Sequence, residues 1–106
     1  MKLSVLPHSF DVSYQEAIAI QKQLASLVEI QKPAYPIRLV AGLDAAFSHD
    51  GKNCLAGVVL WDIIKKCVVE QHVALEPVHF PYIPGLLSFR EGPALLSALS
   101  KLDSPA

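Results

Sequence analysis

Two carboxylates stand out by their positions in the sequence. Asp44 lies in residues 38–47, a stretch that is apolar at both alternating sets of positions. A carboxylate buried in such a strand must be paired, protonated or bound to a metal, because an isolated buried charge is very costly. The alternative is that Asp44 caps the turn after the strand. Glu91 follows Ser88 by three residues, so it either bonds a backbone amide in a capping box or takes part in chemistry.

The stretch at residues 80–91 reads Phe-Pro-Tyr-Ile-Pro-Gly-Leu-Leu-Ser-Phe-Arg-Glu. Its two prolines fix their own φ and keep the preceding residue out of a helix, so the first four residues should be extended. The glycine then allows a turn. A stiff tip that exposes Tyr82 and Ile83 suits insertion between stacked bases, which needs a firmly held apolar wedge. The alternative is that both side chains pack on the core, where most aromatic residues are found.

Composition limits the classes of function. The 106 residues fit one domain, and 9 basic against 10 acidic residues give a net charge of −1. Nucleic-acid-binding domains usually carry an excess of Lys and Arg, so the charge counts against autonomous DNA affinity. No apolar run approaches the roughly 18 residues of a membrane span. The apolar fraction of 52% indicates that further protein covers one face, either the rest of a larger domain or a second copy.

The cysteines and histidines argue against a disulfide framework or a histidine metal site. Cys54 and Cys67 fall on two arms of a predicted hairpin, too far apart for the 7 Å or so that bridged Cα atoms allow. Free thiols and an N-terminus too short for a signal peptide predict a cytoplasmic protein. The four histidines lack metal-ligand spacing, which favours surface or structural roles.

Pattern predicts two helices flanking a sheet. A capping box formed by Ser13 and Glu16 opens a helix over residues 13–31. Residues 38–75 read as three antiparallel strands, with an Asp-Gly hairpin signal between the first two. Gly92–Pro93 should split the last helical region, because proline suits the first turn of a helix, so we predict a helix over residues 93–102.

Two motifs resemble the endonuclease V family of deaminated-base repair nucleases. They are Pro-Tyr-Ile-Pro-Gly-Leu-Leu-Ser-Phe-Arg-Glu at residues 81–91 and Ala-Gly-Leu-Asp at residues 41–44. The resemblance implies an α/β, ribonuclease-H-like fold, of which residues 1–106 would form the front half as a single truncated domain. The family pattern continues with a strand that carries a second catalytic Asp in an Asp-Gly-His-Gly-like motif, which this sequence does not contain.

The resemblance also implies roles for particular residues. The resemblance implies a magnesium-dependent endonuclease that nicks 3′ to deaminated bases such as hypoxanthine, with manganese as an alternative ion. Asp44 and Glu91 would be catalytic metal ligands, and Gly85 would lie beside the lesion pocket. The strand-separating wedge would consist of Pro81, Tyr82, Ile83 and Pro84.

These implications leave three hypotheses for the chain. As part of such a nuclease it would bind nucleic acid with deaminated bases, DNA or alternatively RNA, and would be inactive alone because the third acid is missing. It would otherwise be a non-catalytic nucleic-acid-binding remnant. The third hypothesis is one piece of a split protein, completed by a C-terminal fragment, and a homo-oligomer would also cover the apolar face.

Overall fold

A computed structural model describes residues 8–103 and confirms the α/β arrangement of a helix, a three-stranded antiparallel sheet and a second helix. The elements are α1 (Tyr14–Ala25), β1 (Leu39–Phe47), β2 (Asn53–Asp62), β3 (Cys67–Pro77) and α2 (Leu87–Ser100). Within the described residues, neither helix has the length and apolar character needed to cross a membrane.

Helix α1 begins where the sequence predicts and ends earlier. The Ser13 side chain accepts from the Glu16 N–H, and the Glu16 carboxylate accepts from the Ser13 N–H, both at 3.2 Å. These bonds lower the pKa of Glu16. The predicted end at residue 31 is wrong, because the helix stops at Ala25 and the apolar side chains that follow are exposed. Helices of this length depend on tertiary packing, which those last residues do not find.

The sheet has the order β1-β2-β3, and both pairs are antiparallel. The predicted hairpin turn is present between β1 and β2, with Gly51 at φ +74°. The turn between β2 and β3 is fixed by Asp62, which accepts from the N–H groups of Ile64 and Lys65 at 2.9 Å and pairs with Arg38 at 3.1 Å. Because β1 is the first strand in the order, its outer edge has no neighbour among residues 8–103.

Helix α2 covers one face of the sheet, which we call the inner face. It packs mainly on β2 and β3 and less on β1. Its small residues Ala94 and Ala98 allow close approach to the strands, which contribute fully buried side chains to this core. The buried core residues are Cys54, Ala56, Val58, Leu60, Ala74, Ala94, Ala98 and Leu102.

The opposite, outer face of the sheet is apolar and open. The alternation that buries Leu60 and Val58 turns their neighbours the other way, and Val73 and Leu75 are each 63% exposed. The exposed side chains of this face include Val40, Leu55, Val59, Trp61, Val73 and Leu75. Sequence alone indicated that one face lacked a cover, and this is that face.

Helix α2 is continuous, so the predicted split at Gly92–Pro93 is wrong. Pro93 lies inside the helix and cannot donate to the preceding turn. Gly92 has a separate packing role beside it. A Cβ at this position would lie 2.4 Å from the Phe10 ring, so the glycine lets the segment before α1 press directly on α2.

A second, smaller core joins α1 to the start of α2. Ala17, Phe80, Leu86 and Phe89 are buried in it. Three phenyl rings form a row, with centroids 6.0 Å apart for Phe10 and Phe89 and 5.3 Å apart for Phe80 and Phe89. This aromatic row ties the N-terminal segment to the residue that begins the stiff stretch.

Candidate nucleic-acid interface and carboxylate positions

The stretch predicted as a wedge is a loop held at both ends. Phe80 and Leu86 are both buried in the small core. Between them the Leu86 N–H donates to the Ile83 carbonyl at 3.0 Å, and Gly85 has φ +86°. Proline at the second position and a positive φ at the third define a type II turn, which favours glycine there. The conformational freedom of the loop is therefore small.

The tip of this wedge loop presents Tyr82 to solvent. The Tyr82 side chain is 70% exposed, and Pro81 and Pro84 are exposed beside it. Ile83 is half-buried and packs on the small core. The alternative that both tip residues pack on the core is right for Ile83 and wrong for Tyr82.

Helix α1 supports the turn that follows the tip. The Gln21 side-chain amide donates to the Gly85 carbonyl at 2.8 Å, across 64 residues of sequence. Sequence analysis missed this contact, because one glutamine on the polar side of a predicted helix gives no signal of its partner. The bond fixes the backbone at the position that the family resemblance places beside the lesion.

The Arg90 side chain lies next to the tip of the wedge loop. Its guanidinium carbon lies 4.6 Å from the centre of the Phe47 ring and 5.7 Å from that of Tyr82. No carboxylate among the described residues pairs with it. The side chain therefore connects the end of β1 to the wedge loop through aromatic contacts.

Asp44 is exposed, so the premise that its carboxylate is buried is wrong. It lies opposite Gly57 in the register, on the outer-face positions of β1, because the alternate residues Ala45 and Phe47 pack on the inner core. Its Oδ1 accepts from the Ala45 N–H at 2.8 Å. It does not cap the turn after β1, since Asp50 does so by accepting from the Lys52 N–H.

The surroundings of Asp44 are unusually bare. A Cβ added at Gly42 would meet nothing within 4 Å, and one added at Gly57 would meet only a backbone oxygen at 4.0 Å. Glycine weakens a strand interior, and its use often marks a place where another group approaches closely. The Asp44 carboxylate is thus accessible from the outer face of the sheet.

Glu91 occupies the fifth position of α2 and is half-buried. The capping-box interpretation is wrong, because Leu86 is the N-cap and no side chain caps the helix. Glu91 lies one turn before Ala94, on the side of α2 that faces the sheet. Burial raises the pKa of the Cys54 thiol, and the nearby charge of Glu91 raises that pKa further.

The two carboxylates come from different elements of the fold. Asp44 belongs to the outer-face positions of β1, and Glu91 belongs to α2, which packs on the inner face. Residues 8–103 contain no group of three or more His, Cys, Asp or Glu side chains that would hold a metal ion. Asp44 offers accessible hard oxygen atoms of the kind magnesium prefers, but the described residues alone do not complete a site for it.

Both cysteines and two of the four histidines have defined surroundings. Cys54 and Cys67 are free thiols, as predicted. The His72 ring nitrogen lies 2.8 Å from a Glu70 carboxylate oxygen, and the His8 ring packs on Phe10 with 5.0 Å between centroids.

Known structures place this fold among endonucleases. An endonuclease V from Streptomyces avermitilis matches 94% of the chain with a TM-score of 0.82 and 35% identity, over 45% of its own length. An endonuclease V from Ciona intestinalis, solved with a 24mer DNA containing an inosine, matches 85% of the chain and 39% of its own with a TM-score of 0.73. At 18% identity, the second likeness shows the fold alone. The helix, sheet and wedge loop thus belong to a ribonuclease-H-like nuclease fold.

The sequence assigns the family within that class. The family model for endonuclease V matches residues 10–106. The endonuclease V of Trichormus variabilis is 42% identical over 99 residues, which are 92% of this chain and 45% of that protein. The chain belongs to the endonuclease V family. It spans about half the length of the curated relatives it matches.

Proposed function

We propose that this chain is the lesion-recognising half of an endonuclease V that acts on nucleic acid with deaminated bases. In this proposal Pro81, Tyr82, Ile83 and Pro84 form the wedge, and Gly85 borders the pocket for the displaced base. The substrate is DNA, with RNA as the alternative, and the protein works in the cytoplasm. The observation that carries the proposal is the exposed Tyr82 ring on a loop anchored at both ends.

The loop suits the energetics of strand separation. Displacing a base costs stacking energy, which an inserted aromatic ring restores only if the loop does not lose its own order in the process. The type II turn and the Gln21 bond have already restricted the backbone, so insertion requires little further ordering. The inosine in the DNA bound by the endonuclease V of Ciona intestinalis supports a deaminated base as the target.

Hydrolysis would require groups beyond these residues. We assign Asp44 and Glu91 as two of the carboxylates that hold magnesium, or alternatively manganese. A bound magnesium ion would lower the pKa of the attacking water and balance charge on the phosphate. Because no third acid of the Asp-Gly-His-Gly-like motif is in the sequence, and residues 8–103 hold no group of three metal-ligating side chains, we expect no nicking by this chain alone.

A complementary polypeptide would complete the site. We infer that it adds a strand to the free edge of β1 and covers the outer face, where it would bring further carboxylates to Asp44. A C-terminal fragment of the family is the partner we favour, since the matched part is only 45% of the Trichormus variabilis enzyme. A second copy of this chain would cover the same surface without supplying the missing acid.

Binding to a synthetic duplex tests the recognition role. We expect Tyr82→Ala to weaken binding to inosine-containing DNA by roughly ten- to a hundred-fold, the range for loss of one stacked base. Tyr35→Ala is the matched control, because Tyr35 is similarly exposed but lies between α1 and β1. Equal affinities of the Tyr82 variant and the wild type, with both folded, would contradict the proposal.

A nicking assay with magnesium tests the catalytic assignment. We expect no cleavage by the chain alone and cleavage after addition of the C-terminal half of a relative such as the Trichormus variabilis enzyme. Asp44→Ala should abolish the restored cleavage and leave inosine binding unchanged. Binding without any restored cleavage would instead favour the non-catalytic remnant.

A further inference from the structure

We propose that Arg90 is a positioning residue that orients the Tyr82 ring for selective insertion at the lesion. The proposal rests on the proposed function of the wedge loop. It concerns how a ring on an exposed tip acquires a defined direction, for which the turn and the Gln21 bond do not account. Those contacts fix the backbone, whereas an exposed aromatic side chain still chooses among rotamers.

The position of Arg90 is set by aromatic rings. Its guanidinium lies over Phe47 at 4.6 Å and over Tyr82 at 5.7 Å, both within the distance at which a cation is attracted to a ring face. Its hydrogen bond to the Gly51 carbonyl is long, at 3.5 Å. The buried Nε has no acceptor among the described residues. Because hydrogen bonding is weak here, the two rings are the main partners of this cation.

The two rings differ in how firmly packing holds them, so Arg90 transmits the restraint from Phe47 to Tyr82. Phe47 is partly buried against the inner core at the end of β1, so it is a fixed support. Tyr82 is exposed on the loop, so it is the group that moves. A guanidinium held on the first ring therefore restricts the second. Arg90 also belongs to the same helical turn as Phe89, which is buried in the small core, so its backbone is fixed as well.

This arrangement predicts selectivity rather than general affinity. A Tyr82 ring with a defined direction enters the stack best where a base leaves easily, as at a weakly paired deaminated base. Without Arg90 the ring would still offer an apolar surface to any duplex. A direct contact of Arg90 with phosphate would behave differently, since it would strengthen binding to all duplexes and add to the salt dependence.

The test compares Arg90→Met, which keeps an unbranched stem, with Arg90→Lys, which keeps the charge. Affinity is measured for matched duplexes with and without one inosine, in the wild-type and Tyr82→Ala backgrounds. We expect Arg90→Met to reduce the preference for inosine roughly three- to ten-fold. Arg90→Lys should restore part of it, and Arg90→Met should have no further effect when Tyr82 is absent.

A measurement without DNA checks the contact itself. The Arg90 Nε–H resonance should be displaced by ring currents and should move in Tyr82→Ala but stay in place in the control Tyr35→Ala. Unchanged melting of Arg90→Met would exclude a merely structural role, and a large loss of melting temperature in both Arg90 variants would overturn the proposal.

The remaining outcomes are distinguishable. An equal loss for both duplexes that persists in Tyr82→Ala would overturn the proposal in favour of a phosphate contact. An inosine preference that survives Arg90→Met would overturn the role of Arg90 alone. A wild-type chain with no preference for inosine would overturn the proposed function and, with it, the selective role of Arg90.

Discussion

The two faces of the sheet are built from the same three strands and have different degrees of completion. On the inner face, α2 brings small residues against the strands and leaves Leu60 and Val58 without solvent contact. On the outer face, side chains of the same types remain open, including Val59 and Leu55 on the same strand. The difference shows that strands apolar on both faces require a covering layer on each face. Residues 8–103 supply only the layer on the inner face.

The largest expected effect is a difference in unfolding free energy between equal truncations on the two faces. Leu60→Ala should lower the free energy of unfolding by about 2–5 kcal/mol, because Leu60 is 0% exposed and its loss leaves a cavity. Leu55→Ala, the same change on the same strand at a residue 47% exposed, should cost about 1 kcal/mol or less. Urea denaturation of both variants measures the difference. Equal losses would mean that the outer face is already covered in solution.

A smaller effect should appear in association and leave stability almost unchanged. Val73→Lys combined with Leu75→Lys places two charges on the outer face, which should reduce self-association and the binding of a dye for apolar surfaces. The free energy of unfolding should change by about 1 kcal/mol or less. Ultracentrifugation and dye fluorescence are the measurements.

The control for that prediction is Leu27→Lys combined with Val28→Lys, which adds the same charge at two exposed apolar residues after α1. We expect this pair to leave association and dye binding as in the wild type. An equal reduction by both pairs would assign the effect to net charge and not to the outer face.

The smallest effect concerns the inner face at low pH. Hydrogen bonding from the Lys65 N–H, with smaller contributions from Arg38 and the Ile64 N–H, lowers the pKa of Asp62. Because the pKa of Asp62 is lower in the folded state, its ionised form stabilises the fold. This contribution is complete above the ordinary Asp pKa of about 4 and is lost as the pH falls through the folded-state pKa.

Asp62→Asn should therefore be less stable than the wild type at neutral pH, with a difference that shrinks below a pH of about 4. Thermal melts across the pH range check this. Asp11→Asn, at an exposed carboxylate outside the sheet, controls for the general loss of negative charge. A stability difference that stays constant with pH would show that Asp62 acts through packing alone.

Local rules predicted the features that neighbouring residues determine. The capping box at Ser13 and the hairpin turn at Gly51 depend on side chains within a few positions, and both are present. The stiffness of the wedge loop follows equally from its two prolines and its glycine.

Tertiary contacts decided the features that local rules missed. The need for glycine at position 92 of α2 comes from Phe10, which is more than 80 residues away and occupies the space beside it. The exposure of Asp44 depends on which face of β1 receives α2, and two apolar faces give no basis for choosing. The supports of the wedge loop, Gln21 and Arg90, were likewise invisible, because Gly85 is distant in sequence from Gln21 and Phe47 is distant from Arg90.

The close contact between Gly92 and Phe10 links the segment before α1 to the wedge loop by side-chain packing. Phe10 touches Phe89, and Phe89 touches Phe80, the buried anchor at the start of the loop. A side chain at position 92 would displace Phe10 and remove the far end of this row, although every strand pairing would stay intact. The segment before the first helix thereby contributes, through this row of rings, to the packing that anchors the loop carrying Tyr82.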